Sequence, residues 1–276
     1  MEVTLLGTGD TTGTPTVGCD CDTCERAREL GVERSRFSVH VRSEGGESLL
    51  VDASPDFRSQ FLTQGVDLPD AVVITHVHFD HLDGLGNAYR LVPYGESIPV
   101  YAAGEVDPAT GESVADTVRS RFDYLDRIDV RDVAPFEPTS MAGLEVTLVP
   151  VEHPPLASYG LAIADPETGG RLAITGDTSY AVPEASREAL SGADLLLADA
   201  IVPAALCDRH PRGGAHHDED GVPRTFGTKH MTREGALDLA DELGADRTRL
   251  VHAAHFYPAE EAFAEPLAVD GETYSL

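Results

Sequence analysis

The amino acids this chain nearly lacks narrow the reading first. Lys229 is the only lysine among 20 Lys and Arg residues, against 48 Asp and Glu, and the formal net charge is −28. So acidic a chain disfavours a nucleic-acid partner. It also repels itself, which destabilises the compact state at low salt, and halophiles use this composition. Molar salt screens such repulsion to within about 3 Å, so a halophilic, high-salt cytoplasm is expected. Long apolar runs are missing too: the longest are about strand length, and no membrane span is expected. Met1-Glu2-Val3-Thr4-Leu5-Leu6 lacks the basic segment and the apolar length of a secretory signal, which again predicts a cytoplasmic protein. No Ser/Gly-rich linker divides the chain, so its 276 residues, 41% of them hydrophobic, are read as one domain over 1–276. Cysteine is scarce. Cys19, Cys21 and Cys24 are clustered, and Cys207, the fourth, reads as a small buried residue. In a cytoplasmic chain such a cluster suits metal binding better than disulfides.

Against these absences stands Ile74-Thr75-His76-Val77-His78-Phe79-Asp80-His81-Leu82-Asp83-Gly84. It follows the apolar run Ala71-Val72-Val73-Ile74, which reads as a buried strand. Alternate residues of an extended chain share a face, so His76 and His78 point the same way. A helix starting near Asp80 turns Asp80 and His81 toward the same space. Two pairs of ligands at different heights suit two metal ions, and imidazole with carboxylate suits zinc, manganese or iron.

Three more apolar segments end on potential ligands. Leu144 to Glu152 delivers His153, Arg171 to Gly176 delivers Asp177, and Arg249-Leu250-Val251 delivers His252. Singly, each histidine would be an ordinary structural one and Asp177 a turn residue. Together they imply one shared edge where the ligands converge. Asp52, ending the strand Ser48-Leu49-Leu50-Val51, either orients a ligating histidine from behind or caps a helix over 54–63. His40 reads as a strand histidine without a metal role. Cys19, Cys21 and Cys24, at C-x-C-x-x-C spacing, can all reach one zinc and need a fourth ligand from elsewhere.

The H-x-H-x-D-H segment, its closing Asp-Gly, and the strand-Asp-helix pattern at Asp52 resemble the metallo-β-lactamase superfamily over nearly the whole chain. The resemblance implies an α/β fold, a four-layer αββα sandwich. It implies that His76, His78 and His153 hold one metal, that Asp80, His81 and His252 hold another, and that Asp177 bridges them. The expected activity is that of a metal-dependent hydrolase, a dinuclear phosphodiesterase using a hydroxide held by two Zn or Mn ions, with Asp80 and Asp177 in the catalytic machinery.

The cysteine cluster is similar to that of the bacterial cyclic phosphodiesterase of the carbon–phosphorus lyase pathway, which opens phosphoribosyl 1,2-cyclic phosphate. There three cysteines and a histidine three positions after the last catalytic ligand hold a structural zinc. Here that histidine is His255, in His252-Ala253-Ala254-His255. His230-Met231-Thr232 opens an amphipathic helix with Thr232 as N-cap, Leu237, Ala240 and Leu243 on one face, and Gly244 after it. A histidine there is well placed near a phosphate. In the phosphodiesterase and in the tRNA 3′-processing nucleases such a residue assists hydrolysis, so His230 is the expected proton donor. The expected partner is a small phosphodiester, linear or cyclic, with a homodimer allowed. The rivals are a tRNA 3′-processing endonuclease, whose basic arm is missing here, a thioester or lactam hydrolase, and a non-catalytic accessory protein of quinone-cofactor synthesis. The stretch 208–228, with His210, His216 and His217, is expected to be a flexible flap. For 105–135 the sequence supports only an outer helix and an edge strand.

Overall fold

The computed structural model describes residues 1–108, 110–219 and 221–276. One sheet has seven strands: β1 (Glu2–Gly7), β2 (Ser38–Arg42), β3 (Ser48–Val51), β4 (Ala71–Ile74), β5 (Ile98–Ala103), β6 (Ile128–Val133) and β16 (Thr273–Ser275), in the order β16-β1-β2-β3-β4-β5-β6. The other has six: β7 (Thr139–Met141), β8 (Leu144–His153), β9 (Leu156–Ala164), β10 (Arg171–Ile174), β11 (Leu195–Asp199) and β15 (Thr248–Val251), in the order β15-β11-β10-β9-β8-β7.

Strand periodicity sorts the layers. Leu195 and Leu197 of β11 point into the core shared with Val39, Leu50 and Val73 of the seven-stranded sheet. Leu196 and Ala198 point the other way, onto Leu190 of helix α5 (Glu184–Leu190) and Ala236, Leu239, Ala240 and Leu243 of α6 (Arg233–Leu243). The apolar face of α6 thus includes Ala236 and Leu239, while Leu237 is half-buried at its margin. On the outer face of the seven-stranded sheet, α2 (Phe57–Gln64) packs on β1 and α4 (Val114–Arg121) on β5 and β6. Two sheets between helices make the four-layer αββα sandwich. The stretch 105–135 supplies α4 and the edge strand β6, as expected, with Ala109 outside the described residues.

Chain direction places the ligands. β3, β4 and β5 are mutually parallel, as are β10, β11 and β15. β8 runs with β10, because each is antiparallel to β9. The C-terminal ends of β3 and β4 in one sheet, and of β8, β10, β11 and β15 in the other, therefore deliver Asp52, His76, His153, Asp177, Asp199 and His252.

The stretch 208–228 departs from expectation. Instead of a bare flap it contributes to a three-stranded antiparallel sheet of β12 (Gly214–His217), β13 (Pro223–Phe226) and β14 (His230–Met231). Its Gly and Pro content reads locally as a loop, but Thr225 and Phe226 are buried and pair with Met231 and His230. Tertiary burial overrides the local signal. Asp220, between β12 and β13, lies outside the described residues.

Candidate metal centre

The central motif folds as expected. β4 ends at Ile74, Thr75 to His78 are extended or irregular, and the short helix α3 (Phe79–Leu82) turns Asp80 and His81 inward. Gly84 closes the motif for a steric reason: a Cβ there would meet the Ser54 carbonyl oxygen at 2.1 Å. Asp52 and His252 sit in the left-handed region at φ 55° and 56°, which costs a non-glycine residue about 1 kcal/mol or more and is a feature of functional sites.

His76 Nε2, His78 Nδ1 and His153 Nε2 face one another, His78 Nδ1 lying 3.0 Å from His76 Nε2 and 3.3 Å from His153 Nε2. On the other side, Asp80 Oδ2 is 3.7 Å from both His81 Nε2 and His252 Nε2. Asp177 Oδ2 lies between the two groups, 3.6 Å from His76, 3.4 Å from His81 and 3.3 Å from His252. Donors about 3.4 Å apart are the edges of a tetrahedron whose metal–ligand bonds are about 2.1 Å. His81 Nε2 and His252 Nε2 are buried without any hydrogen-bond partner. A buried ring nitrogen without a partner is costly; a cation at this spot would satisfy both. The donor set fits two divalent ions.

Each ring is aimed from behind. The Asp52 carboxylate lies 2.7 Å from His81 Nδ1 and accepts from the Thr75 amide and hydroxyl, each at 2.8 Å. His153 Nδ1 lies 3.1 Å from the Lys229 carbonyl oxygen and donates to it, leaving Nε2 bare for the site. Such outer partners fix the tautomer of a ligating histidine. Of its two readings, Asp52 therefore takes the orienting role, while Asp56 stands at the cap position of α2.

Charge is distributed to suit cations. Burial holds His76, His78 and His153 below the ordinary imidazole range, His153 at about 3, so their lone pairs are free near neutrality. Burial works against charge at His81 and His252 too, but Asp177, with Asp52 or Asp80, overcomes it and raises both, His252 to about 9. Asp177 is driven well below the carboxylate range, burial being outweighed by His252 and His81. The carboxylates thus call for positive charge at the centre.

His230 lies beside this cluster. Its ring stacks on His252 at 5.0 Å and 12°, and lies 4.7 Å from the ring of His153. Asp199 Oδ2 sits 2.9 Å from His230 Nδ1, leaving Nε2 for the site. Asp199 is a residue that sequence reasoning missed. It ends a buried strand as the ligands do, and that was the available signal. The carboxylate is wholly buried, accepts from the Thr178 amide at 3.0 Å, and is raised by its burial.

The second cluster lies apart from these residues. Cys19, Cys21 and Cys24 Sγ stand 3.3, 3.4 and 3.4 Å from His255 Nδ1. Three thiols and an imidazole match a closed tetrahedral zinc site. Burial pushes the Cys24 thiol up to about 11, while a backbone hydrogen bond from Cys21 leads in lowering Cys19. Cys207 is buried and His40 is a strand histidine whose Nε2 meets the Asp67 carbonyl oxygen, as read from the sequence.

Known proteins frame this geometry. The family model of the beta-lactamase superfamily domain matches residues 47–253. An octanoyltransferase of Porphyromonas gingivalis is 30% identical over 97% of this chain, but the match covers only 49% of that protein, so the chain spans about half its length. Coenzyme PQQ synthesis protein B of Methylobacterium nodulans is 28% identical over 89% of this chain and 83% of its own. The solved structure of a diphosphatase from the PhnP family superposes with a TM-score of 0.77 at 28% identity, covering 99% of this chain and 96% of the other. Among the described residues no helix is long and apolar enough to cross a membrane. With a family model over most of its length and ligand atoms meeting at the expected sheet edge, the chain belongs to the metallo-β-lactamase superfamily, mostly hydrolases, and stands close to the PhnP family.

Proposed function

We propose that this protein is a phosphodiesterase acting on a small linear or cyclic phosphodiester with two divalent metal ions at the strand-end cluster. His76, His78 and His153 would hold one ion, Asp80, His81 and His252 the other, with Asp177 shared. When bound, such a pair lowers the pKa of a water and clamps phosphoryl oxygens. The observation that carries the reading is the His230–Asp199 pair at 2.9 Å, against the ligands His153 and His252. A carboxylate on Nδ1 fixes the tautomer and aims the ring, so Nε2 faces the place where a departing alkoxide would take up a proton. A metal-storing or accessory protein has no use for an aimed acid beside its ligands. The thiol cluster would hold one structural zinc.

A cytoplasmic, high-salt setting is part of the same proposal. The acidic surface supports a small substrate over tRNA. The likeness to coenzyme PQQ synthesis protein B supports the non-catalytic accessory reading as the second choice. Metal analysis followed by a screen of cyclic and linear phosphodiesters in molar KCl separates the two. Turnover that depends on added Zn or Mn is expected. Full metal loading with no hydrolysis of any diester would replace this reading with the accessory one.

A further inference from the structure

Lys229, the one lysine of the chain, directly precedes His230. Its carbonyl oxygen receives His153 Nδ1, so its backbone is pinned to the ligand cluster. Its side chain is half-buried, and among the described residues it has no carboxylate partner. Most arginines are engaged elsewhere. Arg36 is paired to Asp56, Arg224 to Asp218 and Asp238, and Arg34 is sunk beneath the C-terminal segment. Among the described residues, then, the Lys229 ammonium has no counter-charge, and its backbone stands at the cluster. Its charge is felt at His78, where it adds to the burial that lowers that imidazole.

The electrostatic surroundings give this cation a task. Asp80, Asp177 and Asp199 crowd the cluster, and the whole chain carries −28. Two divalent ions would offset the nearby carboxylates and hold the oxygens of the phosphate being cleaved. A substrate bearing further negative charge would meet repulsion unless another cation received it. A flexible, compact ammonium suits that role, whereas a guanidinium imposes a planar fork.

We infer that Lys229 binds a second anionic group of the substrate and so selects diesters that carry negative charge beyond the scissile phosphate. This rests on the phosphodiesterase reading for its catalytic meaning, while the anion site can be measured without catalysis.

A single lysine makes the test direct. Reductive methylation of the zinc-loaded protein with carbon-13 formaldehyde keeps the charge and labels Lys229 with one lysine NMR signal. The N-terminal amine, which meets Asp165 at 3.5 Å, gives a separate one. Titration with inorganic phosphate is expected to shift the lysine signal to saturation. A signal that stays fixed across the titration overturns the assignment.

Kinetics supply the second arm. Lys229→Met is expected to raise KM for a diphosphate diester about tenfold, the scale of one charge-assisted hydrogen bond. It should change KM for bis-p-nitrophenyl phosphate, with a single charge, less than about twofold, and Lys229→Arg should recover part of the loss. Equal losses on both substrates would overturn the selectivity. A shifting NMR signal in a protein that hydrolyses no diester would sink the phosphodiesterase reading and leave the anion site standing.

Discussion

At the thiol cluster, three of the four donors come from the short run Cys19–Cys24, and Cys19, Cys21 and His255 are half-exposed. At the strand-end cluster the donors are drawn from segments as far apart as His76 and His252, and all but His78 are buried. The two meet in the chain at His252-Ala253-Ala254-His255. There the Ala253 amide donates to the Thr8 carbonyl oxygen and the Ala254 amide to that of Ile201. On the reading proposed above, one cluster would be a staple, tying the N-terminal turn to the last loop. The other would be the reacting site, with Asp52, the Lys229 carbonyl and Asp199 aiming rings from behind. A staple needs ligands of the right kind nearby. A site needs them held in one geometry, which suits the carboxylates behind its rings and its left-handed strand ends, whereas the thiols receive backbone amides such as that of Thr16 on Cys24 Sγ.

Mutations should break the two clusters differently. The largest effect is expected from His76→Ala or Asp80→Ala: loss of at least about a thousandfold in turnover, the several kcal/mol a metal supplies to a transition state, with the active-site metal gone by elemental analysis and the fold kept by circular dichroism. If either variant keeps full turnover, the site has been misplaced. His230→Ala is expected to lose about 10² to 10⁴ in turnover, the usual contribution of a positioned acid, with metal content unchanged. Loss of metal in that variant would make His230 a ligand instead of an acid.

Cys24→Ser should act on the staple alone. Structural zinc contributes folding energy outright, and each kcal/mol moves Tm by roughly 2–4 °C at this size. One zinc fewer per chain and a Tm lower by about 10 °C are expected, with turnover of the folded protein kept. If Tm and zinc content match the parent, the cluster is no staple. The smallest effect is expected from Asp52→Asn, which keeps the shape but weakens the hold on His81 Nδ1. Metal affinity should fall about 10- to 100-fold, read by competition with a chelator. An unchanged affinity would reduce Asp52 to its bond with Thr75.

The central motif, the strand-end candidates and the C-x-C-x-x-C run were legible from residue order, because each carries its own local pattern: alternation in a strand, three thiols within six residues, a histidine after an apolar run. His255 as their fourth partner came only from the resemblance to the cyclic phosphodiesterase. Asp199 was not. On its strand it looks like a polar end to a buried segment, and its meaning comes from His230, 31 residues later. The sheet of β12, β13 and β14 was hidden likewise, since Pro211, Gly213 and Gly214 mark a loop until Phe226 and Thr225 are buried. Residue types and their spacing thus settled the chemistry available to this protein, since a ligand's nature is a property of one side chain. Which ring is aimed by which carboxylate, and that the Lys229 carbonyl backs His153, came from packing, since those are relations between segments that meet only after the two sheets close.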